Sequence, residues 1–207
     1  MVDSARFWDK IADKYARQPV RDEASYQFKL KKTQEYLRPD LQVLEFGCGT
    51  GSTAIVHSPF VNQILAVDCS QNMIDIARDK AAKSNVDNIT FQVDTIEALQ
   101  APAESFDVVM GQSILHLVED KDAVIKKVFE LVKPGGIFVS STACIGSGMG
   151  FLRYVVPIFR MLGKAPYVAV FTRDELISAI RRAGFDIEFQ WQPEGKMAVP
   201  FIIARKP

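Results

Sequence analysis

Val43-Leu-Glu-Phe-Gly-Cys-Gly-Thr-Gly-Ser52 joins a short β-prone apolar run to three glycines spaced two apart, and a segment of helical character follows. The pattern predicts a strand, a tight turn and a helix start. Glycine suits such a turn because it accepts positive φ and, lacking Cβ, lets the backbone come close to a bound molecule. The helix beyond it aims unpaired N–H groups and the positive end of its dipole at the same place. An anionic or carboxylate-bearing cofactor is the expected occupant. Glu45 is the odd member of the run, because a carboxylate inside an apolar strand is costly to bury unless donors meet it.

The glycines stand at 47, 49 and 51, and Ser52 takes the place where a dinucleotide fingerprint, Gly-x-Gly-x-x-Gly, has its third glycine. Glu45-Phe-Gly-Cys-Gly-Thr-Gly51 closely resembles the first motif of class I S-adenosylmethionine-dependent methyltransferases. That resemblance implies an α/β, Rossmann-like fold: a seven-stranded, mostly parallel sheet with an antiparallel last strand and helices on both faces. It implies S-adenosylmethionine as methyl donor and S-adenosylhomocysteine as product, with Glu45, Gly47, Cys48, Gly49 and Gly51 beside the cofactor.

Further along, Val61 to Val67 reads as a second strand ending in Asp68-Cys69-Ser70. Asp68 lies about 20 residues beyond the glycines, the interval at which a strand-end acid reaches ribose hydroxyls. Asp68-Cys-Ser-Gln-Asn-Met73-Ile-Asp-Ile-Ala77 resembles the family's Asp-x-Ser-x-x-Met segment, whose acid binds ribose and whose Met approaches adenine. Asp68 also suits a helix cap, and Met73 suits plain core. Ile89 to Val93 alternates as a third strand, and Asp94-Thr95-Ile96 follows at its carboxyl end, where open α/β sheets bind ligands. The resemblance gives Asp94 the adenine amino group and adds Cys69, Thr95, Ile96 and Gln112 to the cofactor side. A helix N-cap is the bland reading of Asp94.

Phe106 to Met110 is a fourth strand, followed by Gly111-Gln112-Ser113-Ile-Leu-His116. No Asn/Asp-Pro-Pro-Tyr segment, found in many methyltransferases of nucleic-acid bases, occurs here. The segment resembles instead the small-molecule branch, in which it lines the acceptor pocket, so Ser113 and His116 are assigned there. His116 has the ordinary pKa range of a general base for a protonated nucleophile; hydrogen bonding in the pocket wall or orienting the cofactor are its other roles. His57 is expected to face solvent. Asp122 to Val132 reads as an amphipathic helix, Lys133-Pro-Gly-Gly136 as its stop and Ile137 to Ser140 as a fifth strand. Thr172-Arg-Asp-Glu175 opens another helix with a capping pattern. Strands near 185 to 191 and 198 to 205 can pair antiparallel.

Ahead of the glycine turn, Ala5 to Arg17 and Arg21 to Leu37 read as helices separated at Pro19. The first resembles the N-terminal helix that lies over the cofactor in small methyltransferases related to quinone-biosynthesis enzymes. Trp8, Tyr15 and Tyr26 are equally suited to closing the pocket and to core packing; Phe7 and Ile11 read as packing. The whole chain, 1–207, is expected to form a single methyltransferase domain with cap helices over 1–38 and an insertion over 143–171. That insertion exceeds an ordinary connection and carries glycines at 146, 148 and 150. Phe151, Tyr154, Val155, Ile158, Phe159 and Leu162 can share a face, with Arg153, Arg160 and Lys164 off it and Pro157 as a bend. It reads as a lid over a bulky apolar substrate or as a helix packed on the core, and contact of 149–164 with an anionic lipid surface is the disfavoured reading.

Composition bounds the function class. Twenty-five basic and 25 acidic side chains without a basic block leave no electrostatic footprint for nucleic acid. Three cysteines without a C-x-x-C pair suggest neither a disulfide framework nor a zinc ribbon, and no metal site is expected. The opening residues lack the apolar core of a secretory signal, and a cytoplasmic protein is expected. The favoured partner is a small-molecule methyl acceptor. Two other classes fit parts of the pattern. A nicotinamide-dependent oxidoreductase is opposed by Ser52 and the terminal strand pair, and a catalytically inactive cofactor-binding regulator is separable only by assay.

Overall fold

A computed structural model describes residues 2–146, 166–194 and 198–207. The chain divides into two compact units, Met1–Leu99 and Gln100–Pro207. Its strands form a seven-stranded sheet in the order β3-β2-β1-β4-β5-β7-β6, parallel except at β7, which runs antiparallel to both neighbours. The expected Rossmann-like sheet with an antiparallel last strand is therefore present.

In the first unit, helix α1 (Val2–Ala16) and helix α2 (Glu23–Gln34) precede strand β1 (Gln42–Phe46). The second helix is shorter than its apolar stripe predicted, because Asp22 caps it by accepting Ser25 N–H at 3.0 Å and it ends before Leu37. Helix α3 (Ser52–His57), strand β2 (Gln63–Asp68), helix α4 (Gln71–Lys83) and strand β3 (Ile89–Val93) complete the unit. Strand β1 is buried from Val43 onward, and β2 buries Ile64, Ala66 and Val67, which accounts for their nearly continuous apolar sequences. Helix α4 covers that face with Met73, Ile74, Ala77 and Ala81 at helical spacing.

His57 is a correction to the sequence reading, which put it toward solvent. It is only 1% exposed, and its Nδ1 has no hydrogen-bond partner. Burial lowers its pKa to about 4, so it is a neutral core side chain. Helix α3 is a short six-residue element, too brief for a periodicity argument to settle which face the last residue occupies.

The second unit begins with strand β4 (Phe106–Gln112) and helix α5 (Lys121–Leu131), whose buried face is Val124, Ile125, Val128 and Leu131 as the spacing predicted. Strand β5 (Val132–Ser141) absorbs the Pro-Gly-Gly segment expected as a separate turn. The ladder to β4 skips from Val132 to Ile137, so residues 133–136 bulge out of register. Gly135 N–H bonds Lys206 C=O at 2.9 Å, and Lys206 N–H bonds Gly136 C=O at 2.9 Å, which holds the bulge to the chain end. Helix α6 (Arg173–Arg182) starts with the expected capping box between Thr172 and Glu175. Strands β6 (Asp186–Trp191) and β7 (Phe201–Arg205) follow. Most of the proposed lid, including Gly148, Gly150 and the face from Phe151 to Lys164, lies outside the described residues. Gly146 is no free hinge: a Cβ on it would come within 2.7 Å of the Phe171 backbone.

Candidate functional site

The first unit gathers the sequence-predicted cofactor residues at one end of three parallel strands. Phe46 pairs with Val67 and Asp68 with Val93, so the turns after β1, β2 and β3 leave the sheet together. Cys48 N–H bonds Val67 C=O and Asp94 N–H bonds Asp68 C=O, both at 3.0 Å, extending the ladder into the turns. The glycine turn is left-handed at Gly47, Gly49 and Gly51. Gly51 has a second reason to be glycine: a Cβ there would lie 2.8 Å from Ala77 Cβ and 2.8 Å from the Phe91 ring. It does the close-packing job that a dinucleotide fingerprint gives to its third glycine, one position earlier. No side chain caps the start of α3.

Asp68 holds this turn directly. Its Oδ2 accepts Gly49 N–H at 2.9 Å and its Oδ1 accepts Ser70 N–H at 2.9 Å. The Cys69 side chain also bonds it, and a carboxylate's roughly four acceptor positions leave room for a further donor such as a sugar hydroxyl. The capping of α4 falls to Ser70, whose hydroxyl accepts Met73 N–H at 3.1 Å. Burial pushes the Asp68 pKa up, and the Ser70 and Gly49 N–H groups pull it back. Asp94 accepts Thr95 N–H at 2.8 Å and Gln92 Nε2–H at 3.0 Å, and a turn rather than a helix follows it, so it caps no helix. Ile96, Met73 and Cys48 are buried beneath the turns, whereas Thr95 and Cys69 are half-buried. Burial also raises both Cys48 and Cys69, the latter to about 12, which leaves them as neutral thiols.

Glu45 carries the sharpest electrostatic signal. It is 2% exposed, and its Oε2 has no hydrogen-bond partner. Burial first, then the nearby Asp68 charge, raises its carboxyl to about 8. An orphaned buried carboxyl oxygen beside a glycine turn is a place where a cationic group gains more than it would in water.

Helix α1 is docked over the same turns by a residue the sequence reading did not single out. Asp9 Oδ1 accepts from Ser70 Oγ at 2.6 Å and from Asn72 N–H at 3.1 Å, while Asn72 Nδ2 donates to the Asp9 carbonyl at 3.1 Å. An anion at the start of α4 also suits the helix dipole. Nothing local in the sequence links residues more than sixty apart. Trp8 stacks edge-on with Phe7 and with Tyr15, and Tyr15 lies 3.9 Å from where a Cβ on Gly49 would be. Tyr15 keeps 45% of its surface exposed, so it covers the turn without being core. Burial raises the Tyr26 pKa, a hydrogen bond with Thr53 opposes this and the Glu45 charge adds to it, which places Tyr26 in the same neighbourhood.

In the second unit, Gln112 ends β4 paired with Ser141, and Ser113 follows with φ of 55°. Its N–H is held by Ser141 C=O at 2.6 Å. A non-glycine residue in that region is uncommon and marks a turn fixed by its surroundings. His116 is half-buried. Its Nδ1 lies 2.9 Å from Thr142 Oγ1, its backbone N–H donates to the same oxygen at 3.2 Å, and its carbonyl accepts Ala169 N–H at 2.8 Å. Burial lowers the His116 pKa to about 4. Thr142 is the second residue that sequence reasoning missed, since it lies one position beyond β5 with no motif around it. Among the described residues no group of three or more His, Cys, Asp or Glu side chains is arranged to hold a metal ion, and no helix is long and apolar enough to cross a membrane.

The chain is 29% identical over 186 residues to a ubiquinone biosynthesis O-methyltransferase of Sinorhizobium fredii, covering 90% of this chain and 63% of the relative. It is 31% identical over 132 residues to the uncharacterized methyltransferase YcgJ of Bacillus subtilis, covering 64% of this chain and 52% of YcgJ. It thus spans between about half and two thirds of the length of these curated relatives. Among solved structures, geranyl diphosphate C-methyltransferase from Streptomyces coelicolor, in complex with Mg2+, geranyl diphosphate and S-adenosylhomocysteine, has the same fold. The TM-score is 0.79 at 13% identity, over 100% of this chain and 98% of that one. The family model described as a methyltransferase domain matches residues 37–183, from just before β1 to the end of α6. With a glycine turn, strand-end acids and antiparallel last strands all falling inside or beside that match, the chain belongs to the methyltransferase-domain family.

Proposed function

We propose that this methyltransferase takes its methyl group from S-adenosylmethionine held by the first unit and passes it to a small molecule. The observation that carries the proposal is the unpartnered Oε2 of buried Glu45 at the glycine turn, which fits the α-ammonium of the cofactor's amino-acid end. Asp68, with acceptor capacity left, takes the ribose, and Asp94 takes the adenine amino group with Thr95 and Ile96 beside it. Met73, beneath the turn after β2, supplies apolar support. Trp8, Tyr15 and Tyr26 cover the turn and keep water from it. The bound sulfonium supplies an electrophilic methyl group, so the protein's work is alignment and exclusion of water rather than covalent catalysis.

The segment after β4, with Gln112, Ser113 and His116, supplies polar groups to the acceptor. Support for a small acceptor comes from the absence of an Asn/Asp-Pro-Pro-Tyr segment and of any basic block. Among the similar proteins, one is named for ubiquinone biosynthesis and another is in complex with geranyl diphosphate, a small molecule. Cytoplasmic location belongs to the same proposal. The test is incubation with methyl-labelled S-adenosylmethionine and fractionated cell extract. Label entering a low-molecular-mass fraction is expected; label only in protein or nucleic acid, or in nothing while the cofactor binds, overturns the reading.

A further inference from the structure

We propose that Thr142 fixes the His116 imidazole in the tautomer protonated at Nε2, so that the segment after β4 presents a hydrogen-bond donor rather than a base to an oxygen of the methyl acceptor. Thr142 is fully buried, and its hydroxyl oxygen already accepts the backbone N–H of His116 at 3.2 Å. The hydroxyl hydrogen must then find an acceptor of its own, because a buried unpaired donor is costly. Among the described residues the acceptor within reach is His116 Nδ1, at 2.9 Å.

If Nδ1 accepts, the ring's proton sits on Nε2. The opposite tautomer, with Nδ1–H pointing at Thr142, makes one oxygen accept twice and strands the hydroxyl hydrogen. The imidazolium does the same and adds a buried charge. Burial, which lowers the His116 pKa to about 4, points the same way. Among the described residues Nε2 has no hydrogen-bond partner, so its N–H is available to a ligand. A group so arranged holds an acceptor through a phenolate, carbonyl or carboxylate oxygen and steadies negative charge there, without removing a proton. Thr142 is thus a positioning residue acting through His116.

The donor role rests on the proposed reading of this segment as the acceptor side, whereas the tautomer stands on the second unit alone. The test is ring-nitrogen NMR on protein labelled with 15N-histidine, near neutral pH. A His57→Gln variant separates the two histidines. The expected result is an unprotonated Nδ1 and a protonated Nε2 at His116, retained in Thr142→Ser and replaced by a mixture in Thr142→Val. A wild-type ring protonated at Nδ1, or an unchanged tautomer in Thr142→Val, overturns the proposal. Should Thr142→Val not fold, the wild-type and Thr142→Ser spectra decide. With the labelled donor and the extract fraction that takes up label, His116→Gln, which keeps a donor, should retain at least tenfold more turnover than His116→Ala. Equal losses in the two variants overturn the donor role. Calorimetry of the same samples with S-adenosylhomocysteine separates this failure from that of the function itself, since the tautomer requires no cofactor.

Discussion

Replacing Glu45 with glutamine should abolish two pH dependences at once. In the folded chain the Glu45 carboxyl titrates at about 8, against an ordinary value of 4.5. Between those values the folded protein holds a proton that the unfolded chain has released. Its contribution to stability is therefore fully present below 4.5 and is lost as pH rises through 8. Moved that far, a fully buried carboxyl accounts for on the order of 5 kcal/mol of stability between the two limits. For a chain of this size each kcal/mol shifts the melting temperature by roughly 2–4 °C. Melting temperature should fall by about 10 °C or more from this group alone between pH 5 and pH 9. The Glu45→Gln protein lacks that fall, so the gap between variant and wild type widens toward alkaline pH.

The same group should report on the cofactor. At pH 7 about nine in ten folded molecules hold Glu45 protonated. Pairing with the ammonium of S-adenosylhomocysteine ionises it, so binding should release about 0.9 proton per site. Titration calorimetry in phosphate and in Tris reads this directly, because the released proton is taken up with a different heat in each. The wild type should show different binding enthalpies in the two buffers and Glu45→Gln the same one. Saturable wild-type binding with identical enthalpies, or parallel melting curves for the two proteins across pH, would refute the reasoning.

Three other substitutions test separate parts of the account. Gly51→Ala forces a side chain into φ of 72° and 2.8 Å from Ala77 and Phe91, and should cost about 2–5 kcal/mol in urea denaturation; an unchanged midpoint contradicts the packing role. Asp68→Asn keeps the shape but removes the charge from the turn, and should weaken S-adenosylhomocysteine binding by roughly tenfold to a hundredfold by calorimetry; unchanged affinity removes the ribose assignment. Lys206 is 8% exposed, donates to Glu104 Oε1, Phe129 C=O and Val132 C=O at 2.9–3.1 Å and lies 4.6 Å over the Phe129 ring. Lys206→Met leaves the buried Val132 C=O and the part-buried Phe129 C=O without this donor and should cost about 3 kcal/mol, against a change under about 0.5 kcal/mol if the staple is incidental.

Much of the architecture is legible because the elements that build it are long and locally consistent. Val124, Ile125, Val128 and Leu131 repeat at helical spacing and are the buried face of α5; Thr172 and Glu175 sit three apart and form the capping box. Strands β1 to β3 end in acids or glycines because turns at the carboxyl edge need them, and the motifs there are short and contiguous. What stayed hidden is set by contacts distant in sequence. His57 goes inward because of where the short α3 lies, and Lys133–Gly136 becomes a bulge because Lys206, seventy residues away, holds it. Asp9 and Thr142 matter through hydrogen bonds to residues 61 to 63 and 26 positions off, for which no period or motif exists.

The central claim is that the turns after β1, β2 and β3 grip a sulfonium nucleoside. Equilibrium dialysis of the folded protein against methyl-labelled S-adenosylmethionine addresses it most directly. One saturable site per chain is predicted, competed by S-adenosylhomocysteine but not by NAD, and weakened in Asp68→Asn. Folded protein that retains no label, or whose label NAD displaces, contradicts it.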